Sequence, residues 1–245
     1  MRQDELATPG VGRLDWDSDF FGFEVARLRA SSPDQLAESI DQAVQRRVRL
    51  AYWECAPDDA ALNRAAVELG GRLVDRKCTY VRALEAADAT VPEAASGPRP
   101  RHNERDQLID LALQSGELSR FRVDPEIPSG AWERLYRIWM ERSLSGEIAD
   151  EVLVERRDGQ AVGMITLSID GHVGVIGLFA VHASQRGLGV GGALLSRALS
   201  WFVAAGCCSA SVVTQGDNEG ARRIYQKGGY RLSQMSHFYH FWNLC

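Results

Sequence analysis

Alternating apolar and polar positions dominate the second half of the chain and predict an antiparallel sheet there. The strongest alternation falls at residues 150–156, 160–169 and 172–181. Arg-Asp-Gly and Asp-Gly separate these segments, and such pairs are typical of tight hairpin turns. The pattern therefore predicts a three-stranded antiparallel meander rather than a parallel βαβ unit.

The meander leads into a glycine-rich turn and then into a helix. Apolar residues recur three and four positions apart between residues 193 and 204, which is the spacing of an amphipathic helix. The other elements predicted for this half are helices at 104–114, 131–143 and 218–227, an irregular stretch at 119–128, and strands at 209–214 and 230–242.

The first half contains a shorter series of strands and helices. Aromatic and apolar residues crowd into residues 13–30, which predicts two strands around a turn. Ser32-Pro33 is a typical helix start, and Asp58 or Asp59 is suited to cap a second helix that Gly70-Gly71 ends. The remaining elements predicted here are helices at 33–47 and 58–69 and strands at 48–54 and 72–84.

A change of composition divides the chain at residues 85–101, which hold three of the eight prolines and are typical of a linker. We therefore predict an N-terminal domain at 1–84 and a catalytic domain at 102–245. When Gly70-Gly71 is aligned with Gly228-Gly229, a helix precedes and a strand follows in both halves. This echo indicates a truncated copy of the second half, with chance similarity as an equal alternative.

Composition excludes several classes of function. A net charge of -5 without a sustained basic run argues against nucleic acid or an anionic membrane surface as a partner. The charged start and the absence of a long apolar run predict a cytoplasmic protein. The five cysteines show no metal-ligand spacing, so we expect reduced thiols and no metal.

The glycine-rich turn carries the clearest chemical signal. Its glycines allow backbone N–H groups at a helix N-terminus to approach an anion. A P-loop would need Lys followed by Ser or Thr, which is not found here. The dinucleotide pattern is matched by Gly187, Gly189 and Gly192, but it requires a βαβ unit that the meander contradicts.

The remaining pattern is a meander followed by Arg186-x-x-Gly189-x-Gly191, and it resembles the acetyl-CoA site of the GNAT superfamily of N-acetyltransferases. The resemblance covers residues 102–245. It implies an α/β (α+β) fold with a mixed, mostly antiparallel twisted sheet flanked by helices, here preceded by a truncated GNAT-like unit. It also implies acetyl-CoA as co-substrate, bound by Leu178, Phe179, Ala180, Val181, Arg186, Gly187, Leu188, Gly189, Val190, Gly191, Gly192, Asn218, Ala221 and Tyr225.

Tyr225 matches the tyrosine that GNAT enzymes commonly use as a general acid toward the coenzyme sulfur. A phenol has an ordinary pKa of about 10, so it keeps its proton at neutral pH and can deliver it as a thiolate departs. The catalytic base is less determined. We predict Glu54, at the end of a strand, with Glu117, Asp124 and a water molecule as alternatives.

Two further stretches are the L-x-W-x-x-x-F-F-G opening at 14–22 and the Ser-Arg-Phe-Arg at 119–122. They resemble the bacterial dTDP-fucosamine acetyltransferases, which acetylate the 4-amino group of a dTDP-linked 4-amino-4,6-dideoxygalactose destined for a surface polysaccharide. Guanidinium forks suit a pyrophosphate, and aromatic rings stack on a base or a sugar. The resemblance thus implies a small-molecule substrate, namely a nucleotide sugar bound by Arg120, Arg122, Trp16, Phe20 and Phe21.

The sequence leaves other functions open. We expect the acceptor amine to attack the thioester directly. In one alternative, that amine belongs to an antibiotic, a polyamine or a peptide rather than to a nucleotide sugar. In another, the chain is a non-catalytic sensor that binds acyl-CoA, which the retained Tyr225 argues against. A homodimer is also left open.

Overall fold

The computed structural model describes residues 10–89 and 100–244. Contacts divide these residues into two compact units, one of residues 10–77 with 235–244 and the other of residues 78–89 with 100–234. Most of the predicted linker, residues 90–99, lies outside the described residues. The predicted domain boundaries at 84 and 102 stay predictions.

The described residues form nine strands and eight α-helices. The strands are β1 (Gly10–Arg13), β2 (Val25–Arg29), β3 (Val48–Cys55), β4 (Arg72–Ala83), β5 (Glu151–Arg157), β6 (Gln160–Asp170), β7 (Val173–Val181), β8 (Ser209–Gln215) and β9 (Arg231–Leu244). The helices are α1 (Asp15–Phe21), α2 (Pro33–Gln45), α3 (Ala60–Glu68), α4 (Arg105–Ser115), α5 (Arg120–Val123), α6 (Ala131–Leu144), α7 (Val190–Ala204) and α8 (Glu219–Lys227).

The first unit is a mixed sheet with two helices packed against it. Its strands follow the order β1-β2-β3-β9, in which only β2 and β3 are parallel. Ser32 caps α2 by accepting a hydrogen bond from the Gln35 N–H, and Asp59 caps α3 by accepting one from the Leu62 N–H. Both caps were predicted, because each satisfies a backbone donor that the first helical turn leaves unpaired.

The prediction of two strands around a turn at residues 13–30 was wrong in its centre, which is helix α1. Trp16 and Phe20 lie one helical turn apart and stack with their ring centroids 5.3 Å from each other. Ser18 bonds back to the Leu14 carbonyl, and Gly22 ends the helix in the left-handed region with φ +76°. The aromatic crowding hid this four-residue periodicity.

The second unit contains the predicted antiparallel meander. Strands β5, β6 and β7 pair antiparallel, and the strand order in this unit is β4-β8-β7-β6-β5. Asp158 and Gly159 both have positive φ in the β5–β6 hairpin, as the tight turn predicted there requires. Strand β8 lies parallel to β7, so this unit is also a mixed sheet with the predicted α/β composition.

Helices cover both faces of the meander. On one face, apolar residues of α4 and α6 form a core with Val152, Val154 and Met164. On the other face α7 lies so close that a Cβ at Gly163 would come within 2.9 Å of both Val190 and Leu194. Since Gly163 and Met164 are adjacent in β6 and point to opposite faces, the strand is covered on both sides.

Two boundaries in this unit differ from the prediction. Helix α7 begins at Val190 rather than at residue 193, because Gly189 takes the N-cap position with φ +83° and the next two glycines enter the first turn. The stretch at 119–128 contains the short helix α5. In the part of the chain that the structure describes, no helix has both the length and the apolar character needed to cross a membrane.

Candidate active site

A cavity of about 980 Å³ lies in the second unit. Its wall is formed by the end of β7, the glycine turn, the first part of α7, helix α8 and the chain after α4. Eleven of the fourteen residues predicted to bind the coenzyme line it: Phe179, Ala180, Val181, Arg186, Gly187, Gly189, Gly191, Gly192, Asn218, Ala221 and Tyr225.

The other three predicted coenzyme residues point elsewhere. Leu178 packs against the core beneath α4, and Val190 is buried against the position of Gly163. Leu188 lies at the crest of the turn with 59% of its surface exposed.

The glycine turn has the geometry that the sequence required. Gly187 and Gly189 have φ values of +80° and +83°, which side chains rarely adopt, and nothing lies within 4 Å of a Cβ built at Gly189 or Gly192. A Cβ at Gly191 would lie 2.5 Å from Ile224 Cδ1, so this glycine permits α7 and α8 to approach. The turn therefore combines backbone freedom, open space and a helix N-terminus that favours an anion.

Strand β7 leaves its neighbour β8 as it reaches the cavity. The pairing of the two strands runs from Val173 with Ser209 to Ile176 with Val212, and no partner on β8 follows for residues 177–181 within the described pairing. The strand stays paired with β6 on its other side. One backbone edge of β7 is thus open toward the cavity.

Along the open edge of β7, the backbone N–H and C=O groups of every second residue point away from β6. The His182 N–H donates to the Val162 carbonyl at 2.9 Å on β6, so by antiparallel alternation the backbone groups of Phe179 and Val181 point away from β6. The Val181 carbonyl accepts a hydrogen bond from Arg186 Nε at 3.1 Å. The Leu178 N–H, by contrast, donates to Thr166 Oγ1 at 2.8 Å.

Tyr225 sits on α8 with 3% of its surface exposed and lines the cavity. Its ring packs against those of Tyr80, Phe179 and Tyr230, with centroid distances between 5.8 and 6.1 Å. Burial raises its pKa well above the ordinary value, and the neighbouring Tyr230 raises it further. Tyr225 therefore carries a proton at every pH at which the protein is expected to work.

The carboxylates named by the sequence lie in different surroundings. Glu117 lines the cavity, and Asp124 is buried, where its Oδ1 accepts a hydrogen bond from the Glu126 N–H. Glu54 belongs to the first unit and is not among the described residues that line the cavity. Glu117 thus shares the cavity lining with the predicted coenzyme residues.

Glu54 is held in an ion-pair network. Its carboxylate accepts a hydrogen bond from Ser236 at 2.8 Å and forms ion pairs with Lys77 at 3.4 Å and Arg27 at 3.3 Å. Burial alone would raise its pKa, but the Ser236 hydrogen bond and the two cations together outweigh burial and lower it. A carboxylate with a lowered pKa is a weaker base, so this environment disfavours the predicted role.

The residues predicted to bind a nucleotide sugar fall into two groups. In the second unit, the Arg120 guanidinium lies over Phe121 at 4.4 Å and that of Arg122 over Trp132 at 4.6 Å. The two arginines lie two and four residues after Leu118, which lines the cavity, although neither arginine is in the lining. In the first unit, α1 carries the partly exposed rings of Trp16, Phe20 and Phe21, of which Trp16 stacks on Phe20 and Phe21 meets Phe20 edge to face.

The sequence reading missed part of the lining. Arg82 and Asp88, which form an ion pair, line the cavity together with Gln114 and Ser196. The Asp88 carbonyl accepts a hydrogen bond from Ser200 of α7 at 2.8 Å. No signal pointed to Arg82 and Asp88, because they lie in the segments predicted as another domain and as a linker.

No group of three or more His, Cys, Asp or Glu side chains in residues 10–89 and 100–244 is arranged to hold a metal ion. The lining is built instead from backbone edges, hydroxyls, one exposed carboxylate and several cations. Such a set can bind an anionic ligand and move protons.

Comparison with known proteins gives three kinds of match. A sequence profile described as the acetyltransferase (GNAT) family matches residues 112–230. Acetyltransferase SG1711 of Sodalis glossinidius (strain morsitans) is 35% identical over 132 residues, which are 54% of this chain and 84% of that protein. The spore coat polysaccharide biosynthesis protein SpsD of Bacillus subtilis (strain 168) is 26% identical over 156 residues, which are 63% of this chain and 53% of that protein.

The fold also has solved counterparts. The crystal structure of a GCN5-related N-acetyltransferase from Sphaerobacter thermophilus superposes with a TM-score of 0.60 at 16% sequence identity. The superposition covers 89% of this chain and 72% of that chain. At this identity the likeness concerns the fold alone.

Proposed function

We propose, from the premise that this chain belongs to the GNAT family of acetyltransferases and is an N-acetyltransferase, that it uses acetyl-CoA to acetylate the amino group of a nucleotide-activated amino sugar. The observation that carries the proposal is one cavity that joins the glycine turn, the open edge of β7 and the buried Tyr225. Each of these three features serves a different part of one reaction.

The residues present fit acetyl-CoA, which when bound supplies the acetyl group as a thioester. The glycine turn and the N-terminus of α7 offer backbone N–H groups and a positive dipole end to phosphates. The backbone of Phe179 and Val181 offers hydrogen bonds along the open edge of β7. Arg223 and Lys227 add positive charge to the lining from α8.

The chain's own groups account for the protons. As the acceptor nitrogen bonds to the acetyl carbon and the carbon–sulfur bond breaks, the nitrogen must lose a proton and the sulfur must gain one. Tyr225 holds a proton in the cavity and gives it to the departing sulfur. Glu117, directly or through a water molecule, takes the proton from the amine.

We assign the base to Glu117 rather than Glu54 on position and charge. Glu117 follows α4 and faces the cavity as an exposed carboxylate. Glu54 is neutralised by two cations in the first unit, as described above. A base must lie within reach of the proton that it removes, so position decides before basicity does.

The acceptor class rests on the α5 segment and on one relative. Arg122 is exposed and already stacked on Trp132, which fixes the guanidinium plane while leaving its edge able to hold a pyrophosphate in two hydrogen bonds. The similarity to a spore coat polysaccharide biosynthesis protein supports a sugar acceptor. The stacked rings on α1 remain a predicted surface for a base or a sugar.

The test is thiol release from acetyl-CoA in the presence of a panel of amines. The panel contains dTDP-4-amino-4,6-dideoxyhexoses of both configurations, a UDP-4-amino sugar, spermidine and an aminoglycoside. Each nucleotide sugar is paired with its 4-hydroxy analogue as a control, because only the amine should be acetylated. Fast turnover of one amino sugar supports the proposal, whereas turnover of spermidine or the aminoglycoside alone contradicts the acceptor class.

A further inference from the structure

Tyr80 is a buried tyrosine of β4 that neither the family match nor the proposed reaction uses. It is 1% exposed and lies in the second unit with Tyr225. The two rings have centroids 6.0 Å apart and are inclined by 42°. The Tyr80 hydroxyl accepts a hydrogen bond from Arg222 Nε at 3.3 Å. One side chain thus contacts the proposed acid with its ring and helix α8 with its hydroxyl.

Arg222 connects Tyr80 to the start of α8. It lies three residues before Tyr225 on the helix, and its Nη1 donates to the Gly216 carbonyl at 2.9 Å. Asn218 caps the same turn by accepting the Ala221 N–H at 3.1 Å. Since Asn218 and Ala221 line the cavity, the bonds of Arg222 hold the part of α8 that faces the ligand.

The Tyr225 ring is enclosed on several sides. Phe179 contacts it from β7 with a centroid distance of 6.1 Å, and Tyr230 contacts it from the chain after α8 at 5.8 Å. Tyr80 supplies the contact from β4. A smaller side chain at position 80 would leave space beside the ring, so that the phenol could change its rotamer and cavity water could reach it.

We infer that Tyr80 is a positioning residue for proton delivery by Tyr225, its ring fixing the phenol and its hydroxyl fixing the first turn of α8 through Arg222. The inference rests on the proposed role of Tyr225 as the acid. The inference gives the Tyr80 side chain two effects that can be measured separately. The ring affects proton transfer and therefore kcat, and the hydroxyl affects coenzyme binding and therefore the KM for acetyl-CoA.

Tyr80→Leu tests the ring. We expect kcat to fall about tenfold or more, and the KM for acetyl-CoA to rise about three- to tenfold because leucine also lacks the hydroxyl that bonds to Arg222. Water that reaches Tyr225 should return its pKa toward the ordinary value of about 10, so kcat should acquire a loss at alkaline pH that the unmodified protein lacks. Tyr52→Leu removes an equally buried ring from the first unit and should change neither quantity.

Tyr80→Phe tests the hydroxyl and keeps the ring. We expect kcat within about twofold of the unmodified protein and a KM for acetyl-CoA raised about three- to tenfold. Arg222→Met should raise the KM at least as much, because it also removes the hydrogen bond to the Gly216 carbonyl. The double variant should raise the KM no further than Arg222→Met alone, because both changes break the hydrogen bond between Tyr80 and Arg222. Additive effects would overturn the role of the hydroxyl even if Tyr80→Leu failed to fold.

A double-variant cycle separates positioning from general packing. In a Tyr225→Phe background, Tyr80→Leu should lower kcat less than about twofold, because the phenol that it positions has been removed. The same tenfold loss in both backgrounds would overturn the inference. An unchanged rate for Tyr225→Phe alone would overturn the acid assignment itself, whereas loss with Tyr225→Phe and a normal rate with Tyr80→Leu would overturn only the role of Tyr80.

Discussion

At the scale of single residues, the chemistry depends on where each proton is held. Tyr225 and Glu117 both line the cavity, yet one is almost fully buried and the other is exposed. Burial keeps the Tyr225 phenol protonated by disfavouring its charged form, while the Glu117 carboxylate is open to solvent. The two groups are therefore suited to opposite halves of the same transfer.

Tyr225→Phe should lower kcat about 10²-fold, because it removes the proton donor and keeps the ring. Coenzyme binding measured by calorimetry should stay within about threefold of the unmodified protein. Tyr239→Phe is the matched control, since it removes a hydroxyl that bonds to Asn63 Oδ1 in the first unit. A normal rate with Tyr225→Phe would show that another group protonates the sulfur.

The raised pKa of Tyr225 has a consequence for the pH profile. The acid is active when protonated, so activity would be lost as pH rises through its pKa. Since burial moves that pKa above about 10, the unmodified protein should show no loss from this group below that pH. The measurement is kcat against pH at saturating substrates, and a loss centred near neutral pH would have to come from a different group.

Glu117→Gln and Glu54→Gln distinguish the two candidate bases. The first change should lower kcat about 10²-fold at neutral pH, since the amide cannot accept the amine proton. The second should leave kcat unchanged and lower the melting temperature, because Arg27 and Lys77 lose their partner. The reverse pattern would restore Glu54 as the base, as the sequence alone predicted.

At the scale of elements, the turn between β7 and α7 determines binding. Gly189→Asp should weaken binding of acetyl-CoA at least 10²-fold, because it places a negative charge where the phosphates are expected. Gly171→Asp is the control, since Gly171 also has positive φ and open space but lies in the β6–β7 hairpin. Calorimetric titration measures both, and equal affinities would contradict the assignment of the turn.

The pairing of Arg156 with Glu104 attaches α4 to the meander. The two side chains are 9% and 3% exposed and form two hydrogen bonds of 2.5 Å. The Arg156 hydrogen bonds lower the pKa of Glu104 against the opposing effect of burial. The stabilisation is therefore present above the ordinary carboxyl pKa of about 4.3 and is lost as pH falls through the lowered folded value.

Arg156→Leu should lower the free energy of unfolding by about 3–5 kcal/mol at neutral pH, because it leaves a buried carboxylate without its cation. The deficit should shrink below about pH 4, where the carboxyl group becomes neutral. Arg105→Leu, which breaks a more exposed pair with Glu141, should cost about 1 kcal/mol or less. Denaturant unfolding measured across pH checks this prediction. A difference in the free energy of unfolding that does not change with pH would show that the ion pair is not its source.

Elements with one dominant periodicity were predictable from the sequence, and elements with conflicting signals were not. The meander and α8 follow clear alternation or caps, and both were found close to their predicted bounds. Helix α1 was missed because its rings suggested strands. Glu117 was only an alternative base in the sequence analysis. Its distance from the glycine turn depends on how segments far apart in the sequence pack together, and residue spacing does not reveal this.

At the scale of the whole molecule, the two compact units divide inside strands β4 and β9. Strand β4 begins in one unit and ends in the other, with the division after Lys77, and the end of β9 belongs to the first unit. Within the first unit β3 pairs with β9, and within the second the Leu84 N–H donates to the Cys208 carbonyl. Each unit thus contains segments from both sides of residues 90–99.

A specific protease site placed within residues 90–99 tests this arrangement. After cleavage, the two fragments should elute together in gel filtration and keep at least about half of the activity, because strand pairing inside each unit joins them. An identical site between Asp158 and Gly159, inside the meander hairpin, should lower activity more. Separation of the fragments cut at 90–99 would show that each half folds alone.

The passage of β4 through both units also limits how such a chain can be recombined. A chimaera joined at residue 102 would take α8 and Tyr225 from one parent and Tyr80, Arg82 and Asp88 from the other. A crossover placed before Cys78 would transfer these residues together with the cavity that they border. Exchange of acceptor specificity between relatives should therefore succeed at junctions that keep these packed residues together. It should not succeed at the proline-rich segment, where the composition predicts a domain boundary.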